Sequence, residues 1–159
     1  MSLPGATVVD IKTSEARSRN MAAIKGKDTQ PEMRLRSALH ARGFRYRLHP
    51  AELPGRPDLL LPKYRAAVFV HGCFWHRHPG CRYTTTPETR AGFWQTKFQQ
   101  NTARDARAVA QLGERGWRVA VIWECALRRD RAAKATNELC EWLLGSGARF
   151  ETEPTTRCG

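Results

Sequence analysis

The sequence predicts a single α/β domain, a sandwich of helices around a mixed sheet. Two observations carry this. Short apolar runs closed by turn residues, Asp58–Leu61, Ala66–Val70 and Trp117–Trp123, read as buried strands. Longer stretches with helical apolar spacing lie around them, and the order helix, three strands, helix, strand, helix is that of a mixed-sheet sandwich.

Taken in order, residues 1–13 read as a loose leader, residues 14–145 as one domain, and residues 146–159 as a C-terminal tail. A short helix is expected from Ser14 through Lys25, with Arg17 and Arg19 as phosphate contacts. Thr29-Gln30-Pro31-Glu32 then has the form of a helix start, with Thr29 as N-cap and Pro31 in the first turn. That helix runs to Gly43 with Leu35, Ala38 and Leu39 inward. Glu32 fits the reciprocal partner of a capping box, or a carboxylate aimed at the body of the domain, and spacing favours the first. Phe44–Leu48 alternates apolar and basic like a half-exposed strand, and the proline-rich segment His49–Pro57 is a loop. Asp58 opens the next strand, and Ala66–Val70 is the central one. A long helix is expected from Phe93 to Leu112, with Phe98, Ala106, Val109 and Leu112 inward and Lys97, Asn101, Arg104 and Arg107 outward. After Trp117–Trp123, a last amphipathic helix spans Asp130–Leu144.

Residues 68–81, Val-Phe-Val-His-Gly-Cys-Phe-Trp-His-Arg-His-Pro-Gly-Cys, organise the chemistry. Cys73, His78 and Cys81 offer two thiolates and an imidazole that one loop can fold around Zn²⁺, and Cys125 is the best fourth ligand. His76 competes with His78 for that role on spacing alone. The plainer alternative is ordinary buried cysteines and surface histidines. Phe74-Trp75 inside the same loop is either local core or an aromatic pair presented to a partner.

The 159 residues carry a net charge of +12 and 41% hydrophobic content, enough for a sizeable core. The basic excess is mostly arginine, half of it from residues 1–50, and points to a polyanion such as DNA or RNA rather than a membrane surface. No signal peptide or transmembrane span is visible, so a cytoplasmic location is expected. The five cysteines then read as thiols or metal ligands, with Cys140 and Cys158 outside any ligand spacing.

Five motifs follow in order: Arg-Ser-Arg-Asn-Met, Leu-Pro-Gly-Arg-Pro-Asp, His-Gly-Cys-Phe-Trp-His, Phe-Trp-x-x-Lys-x-x-x-Asn-x-x-Arg-Asp, and Gly-Trp-Arg-Val through Trp-Glu-Cys-Ala-Leu. Through them the chain resembles the very-short-patch-repair DNA mismatch endonucleases. The resemblance implies a restriction-endonuclease-like three-layer sandwich with a structural zinc. It implies nicking of one strand 5′ of the thymine in a T·G mismatch left by deamination of 5-methylcytosine. By motif, Asp58 carries Mg²⁺ and His76 is the base for the attacking water, with His71 and Glu32 completing the surround. Val70 stands where the family often has threonine, and its backbone carbonyl would serve the metal equally well. Phe74, Trp75 and Trp94 are implied to enter the base stack, with Lys97, Asn101, Arg17 and Arg19 as further DNA contacts. A bacterial monomer on duplex DNA is expected, gathered on the nucleoid when bound, with mismatch-repair proteins as an optional further partner. The rival readings are a zinc-held nucleic-acid-binding module without catalysis and another nicking endonuclease on the same fold. Asp58 with His71 and His76 separates the first rival, because a pure binder needs no carboxylate at its phosphate site.

Overall fold

The computed structural model describes residues 28–156, so the helix expected at Ser14–Lys25, its Arg17 and Arg19, and Cys158 lie outside the described residues. Within that range the elements are α1 (Gln30–Ala41), β1 (Arg47–Leu48), β2 (Leu59–Leu61), β3 (Ala66–His71), α2 (Cys73–His76), α3 (Ala91–Glu114), β4 (Arg118–Trp123), α4 (Ala132–Leu144) and β5 (Arg149–Glu151). They form one five-stranded mixed sheet in sequential order. β1, β2 and β3 pair antiparallel, while β3–β4 and β4–β5 are parallel. The parallel pairs follow from connectivity: a strand that returns through a helix runs in the same direction as its neighbour.

Strand alternation divides the core into two layers. Leu59, Leu61, Ala66, Val68, Ala120 and Ile122 pack against Leu35 and Leu39 of α1 and Ala135, Leu139 and Leu143 of α4. On the other face Leu60, Ala67, Phe69, Val119, Val121 and Trp123 meet Ala108 and Leu112 of α3. The expected sandwich with a mixed sheet is therefore present. Among the described residues no helix is long and apolar enough to cross a membrane.

Two strands start later than their apolar patterns suggest, for one reason. α1 ends with Gly43 in the left-handed region, and Gly43 and Phe44 donate their N–H groups to the carbonyls of His40 and Leu39. α3 ends the same way, with Gly116 and Trp117 donating to Gly113 and Leu112. Phe44 and Trp117 thus spend their N–H groups closing helices, and pairing begins at Arg47 and Arg118. The last helix begins at Ala132, two residues after the expected Asp130. On α3 the buried stripe is Phe98, Ala108 and Leu112, and Ala106 is exposed. Ala108 lies four residues before Leu112 and so shares its side of the helix, whereas Ala106 is turned away.

The segment expected as a tail supplies β5. Thr152 donates its N–H to the carbonyl of Val121, and its Oγ1 accepts from the Trp123 N–H at 2.9 Å. Glu151 Oε1 accepts from the Trp123 indole at 2.7 Å. Farther on, the Thr155 carbonyl accepts from Arg82 N–H at 2.8 Å, tying the chain end to the loop that holds Cys81. A chain ending after Gly147 should therefore melt several degrees lower, since even about 2 kcal/mol shifts a domain of this size by that much. Thermal unfolding of the truncated and full chains checks this, and equal midpoints would make the segment an appendage.

Candidate active site

β3 delivers the chain to the site. After His71, extended Gly72 caps the single-turn helix α2, and Arg77 in the left-handed region ends it. His78 N–H then donates back to the Cys73 carbonyl and Cys81 N–H to that of His78, so the loop closes on itself. Cys125 arrives from the turn after β4. Ligand atoms of Cys73, His78, Cys81 and Cys125 all lie within 4.8 Å of one another, and all four residues are buried. His78 Nδ1 is 3.7 Å from the Cys73 sulfur and 3.6 Å from that of Cys125. A tetrahedral ion with ordinary Zn–S and Zn–N bonds has edges of roughly 3.5–3.8 Å, so the donor set can hold such an ion and leaves no open position. Without an ion, a hydrogen bond from Cys73 holds Cys125 as the thiolate and pushes Cys73 the other way, one proton serving both. A metal replaces that proton. His78 also stacks on Trp123, with ring centres 4.1 Å apart, which fixes its ring plane.

His76 points elsewhere. Its Nδ1 is 2.6 Å from Asp105 Oδ2 on α3, and its ring stacks on that of His71 at 3.9 Å. With Nδ1–H donated to the carboxylate, Nε2 is the nitrogen left for a proton. Burial pushes His71 down to about 3, with the neighbouring His76 as the next cause, so His71 stays neutral.

A second group gathers at the β2 end of the sheet. Asp58 Oδ2 accepts from the Val70 N–H at 2.7 Å. The Thr29 hydroxyl accepts from the Glu32 N–H, but the Glu32 carboxylate does not return the bond. Instead it lies 1% exposed, 3.0 Å from His49 Nε2 and 3.1 Å from the Arg36 guanidinium. His49 Nδ1 is 3.9 Å from Asp58 Oδ1, so one imidazole stands between the two carboxylates. Desolvation raises Asp58 to about 7; the Val70 N–H opposes this and the Glu32 charge adds to it. The four residues expected together thus fall into two pairs. His49 stands between Asp58 and Glu32, stacking links His71 to His76, and β3 joins the pairs through Val70 and its neighbour His71.

The aromatics form a third group. Phe74 contacts Trp75, Trp94 and Phe98 with ring centres 5.1–5.6 Å apart, and Trp75 meets Trp94 at 5.8 Å. Phe98 is buried, Phe74, Trp75 and Trp94 are half-buried, and Phe93 beside them is 49% exposed. Lys97 is exposed. Asn101, expected outward, is half-buried and donates Nδ2 to the Trp75 carbonyl at 3.1 Å. It follows Phe98 by three residues, so it inherits the side of the helix that faces α2.

The family model described as DNA mismatch endonuclease Vsr matches residues 9–82. The chain is 44% identical over 149 residues to the DNA mismatch endonuclease Vsr of Escherichia coli (strain K12), covering 92% of this chain and 95% of that protein. The chain belongs to the DNA mismatch endonuclease Vsr family. It is also 47% identical over 120 residues to the type II nicking enzyme V.XorIIP of Xanthomonas oryzae pv. oryzae, covering 76% of this chain and 88% of the other. With the type II nicking enzyme V.NmeAIP of Neisseria meningitidis the identity is 37% over 137 residues, covering 83% and 97%.

Two residues in this Vsr-family site were missed by sequence reasoning. Asp105 stands seven residues after Phe98 and three before Ala108, so an acid on the inward stripe of α3 was the available signal. His49 had none, since a histidine opening a proline-rich loop reads as surface. The Asp58 environment makes a checkable statement about stability. A carboxyl with a raised pKa keeps its proton longer folded than unfolded, so metal-free protein should lose stability between about pH 4 and about pH 7. The loss attributable to Asp58 is roughly 4 kcal/mol at most, and Asp58→Asn should remove it. Urea unfolding across that range, without added divalent cation, compares the two slopes; parallel slopes would contradict the assigned cause.

Proposed function

We propose that this chain nicks one strand of duplex DNA 5′ of the thymine in a T·G mismatch, in repair of deaminated 5-methylcytosine. The observation that carries the reading is the end of β3. There the Val70 N–H fixes Asp58, and the next residue, His71, stacks on a His76 whose Nδ1 is held by Asp105. Phosphodiester hydrolysis needs charge offset at the phosphoryl oxygens and a group that takes a proton from water. Asp58 and the Val70 carbonyl would hold Mg²⁺, which supplies that charge offset when bound. His76 accepts the water proton at Nε2, and Asp105 fixes its tautomer and stabilises the imidazolium that results. His71 stays neutral beside it, so no second positive charge opposes that proton. Glu32 puts a second carboxylate near Asp58, so a divalent cation bound there would offset charge that a proton otherwise offsets.

The cysteine and histidine cluster is read as a structural Zn²⁺ site, because its four ligands close the coordination and its geometry matches that ion. The mixed sheet with helices on both faces is read as the restriction-endonuclease-like fold. Phe74, Trp75 and Trp94 are read as the wedge that enters the stack, where a mispair costs less to open than a matched pair. Exposed Lys97 adds a phosphate contact, and Arg17 and Arg19 others. Asn101, tied to the Trp75 backbone through its nitrogen, retains its amide oxygen for a base or backbone donor. A monomer on DNA in the bacterial cytoplasm suffices for this chemistry.

Nicking of end-labelled duplexes with T·G against C·G, in Mg²⁺ and across several flanking sequences, tests the reading. Wild type should cut beside T·G, Asp58→Asn should bind but not cut, and Asp105→Asn should lose about 10²-fold or more in rate with binding retained. Equal cutting of matched and mismatched duplex would favour a nicking enzyme of another specificity. Full activity in folded Asp58→Asn would remove the active-site assignment.

The zinc reading has its own check. Cys125→Ser should release the metal and lower the melting temperature, because Cys125 brings the turn after β4 to the loop that carries Cys73, His78 and Cys81. One metal ion still bound per chain, by elemental analysis after dialysis, would exclude Cys125 as a ligand.

A further inference from the structure

Arg77 stands between His76 and His78, on a backbone that an arginine adopts at a cost: its φ is +57°, the left-handed region that glycine or asparagine fills more easily. Its side chain is engaged at every turn. The guanidinium carbon lies 3.9 Å from the centre of the Phe98 ring and 5.8 Å from that of Phe74. Nη1 donates to the carbonyls of Phe74 at 3.3 Å and Thr85 at 2.8 Å, and Nη2 donates to Thr86 Oγ1 at 2.7 Å. These acceptors are neutral, so the cation is not employed in an ion pair. Its fork joins three things at one point: α2, the buried Phe98 ring of α3, and the loop at Thr85–Thr86. Phe98 is also the ring against which Phe74 and Trp94 pack, at 5.2 and 5.7 Å. The plane of Arg77 therefore backs the same cluster whose other members are half-exposed.

We propose that Arg77 is a positioning residue for mismatch recognition, stiffening the aromatic cluster so that Phe74, Trp75 and Trp94 meet the duplex as a rigid wedge. This rests on the wedge reading above. The physical reason is that unstacking a base step needs free energy, and a cluster free to rearrange yields instead of the DNA. A planar guanidinium can stack on one ring while donating to three acceptors in its plane, whereas a lysine ammonium keeps the charge and loses both the stack and the fork. Arg77→Lys consequently separates the clamp from the protein's general attraction to phosphate. The effect should appear in discrimination rather than in affinity for matched DNA, because matched duplex is held by phosphate contacts that the substitution leaves in place.

The experiment uses the zinc-loaded full chain and duplexes carrying a fluorescent adenine analogue beside T·G or C·G. Wild type should bind T·G more tightly and brighten the analogue as the step unstacks. Arg77→Lys should keep its zinc, its matched-duplex affinity and its salt slope, while the T·G to C·G affinity ratio falls about tenfold and the brightening shrinks. Trp75→Ala marks the full loss. Arg77→Lys with the wild-type ratio and brightening, while Trp75→Ala loses both, overturns the role of Arg77 and leaves the wedge standing. Wild-type behaviour in Trp75→Ala as well overturns the wedge reading and this proposal with it. Should Arg77→Lys fail to fold, Thr86→Val decides the matter, since it removes one acceptor at an exposed position. A ratio lowered about threefold supports the clamp, and an unchanged ratio overturns it.

Discussion

The site depends on holding one turn of helix still. α2 has four residues, far fewer than a helix needs to persist alone in water, where nucleation is unfavourable and propagation has no length to recover it. It is fixed from two directions. The Cys73, His78, Cys81 and Cys125 cluster binds both of its ends to the turn after β4, and α3 grips it along its length. Phe98 meets Phe74, Asn101 meets the Trp75 carbonyl, and Asp105 meets His76. Three successive residues of α2 are thus each matched to a residue on one side of α3, at spacings of three and four. The aromatics and the imidazole share this short, doubly anchored support, so a displacement of one moves the other.

Opposite this support the structure concentrates groups that dislike each other's company. Asp58 and Glu32 are both buried, and the Glu32 charge adds to the desolvation that makes Asp58 costly to ionise. Arg36 relieves part of that cost and is bonded to Glu32 and to Asp28. Such a pocket is poor at stabilising the fold and good at preferring a divalent cation, since the cation removes the repulsion that folding created. The tension is local: the strands beneath it are apolar on both faces, and the two layers of Leu, Val, Ile and Ala supply the stability from which it is drawn.

What could be seen in the sequence was what lies close along the chain. The strands at 59–61, 66–71 and 118–123 showed as short apolar runs, and three of the four clustered candidate ligands fell within one loop. Strand starts slipped by one to three residues because the Schellman caps at Gly43 and Gly116 consume the next N–H group, a hydrogen-bond fact that hydrophobicity does not carry. Spacing leaves His76 and His78 as alternatives, and direction distinguishes them: the His78 ring turns to the sulfurs, the His76 ring to Asp105. Asp105, Asn101 and His49 were harder. Each acts on a residue ten or more positions away, and an acid, an amide or an imidazole in a polar helix or loop looks like a solvated side chain until the partner element is docked. Glu32 shows the same limit from the other side, because its capping-box spacing is real while its carboxylate is committed to His49 and Arg36.

Charge and shape then divide the work of recognition. The net +12 draws the chain to any duplex, with little regard for sequence or pairing. Discrimination must come from a term that differs between a mispair and a matched pair, and the free energy of opening the stack is such a term. A wedge that tests stacking is useful only if the catalytic group responds to its success. On the proposed reading α2 meets that requirement: Phe74 and Trp75 directly precede His76 on a single turn, and all three are gripped by the same face of α3. Seating the aromatics and placing His76 at a phosphate are, on that reading, one event, because α3 holds them as one unit. Selectivity in the reaction can then exceed selectivity in binding, because position enters both terms.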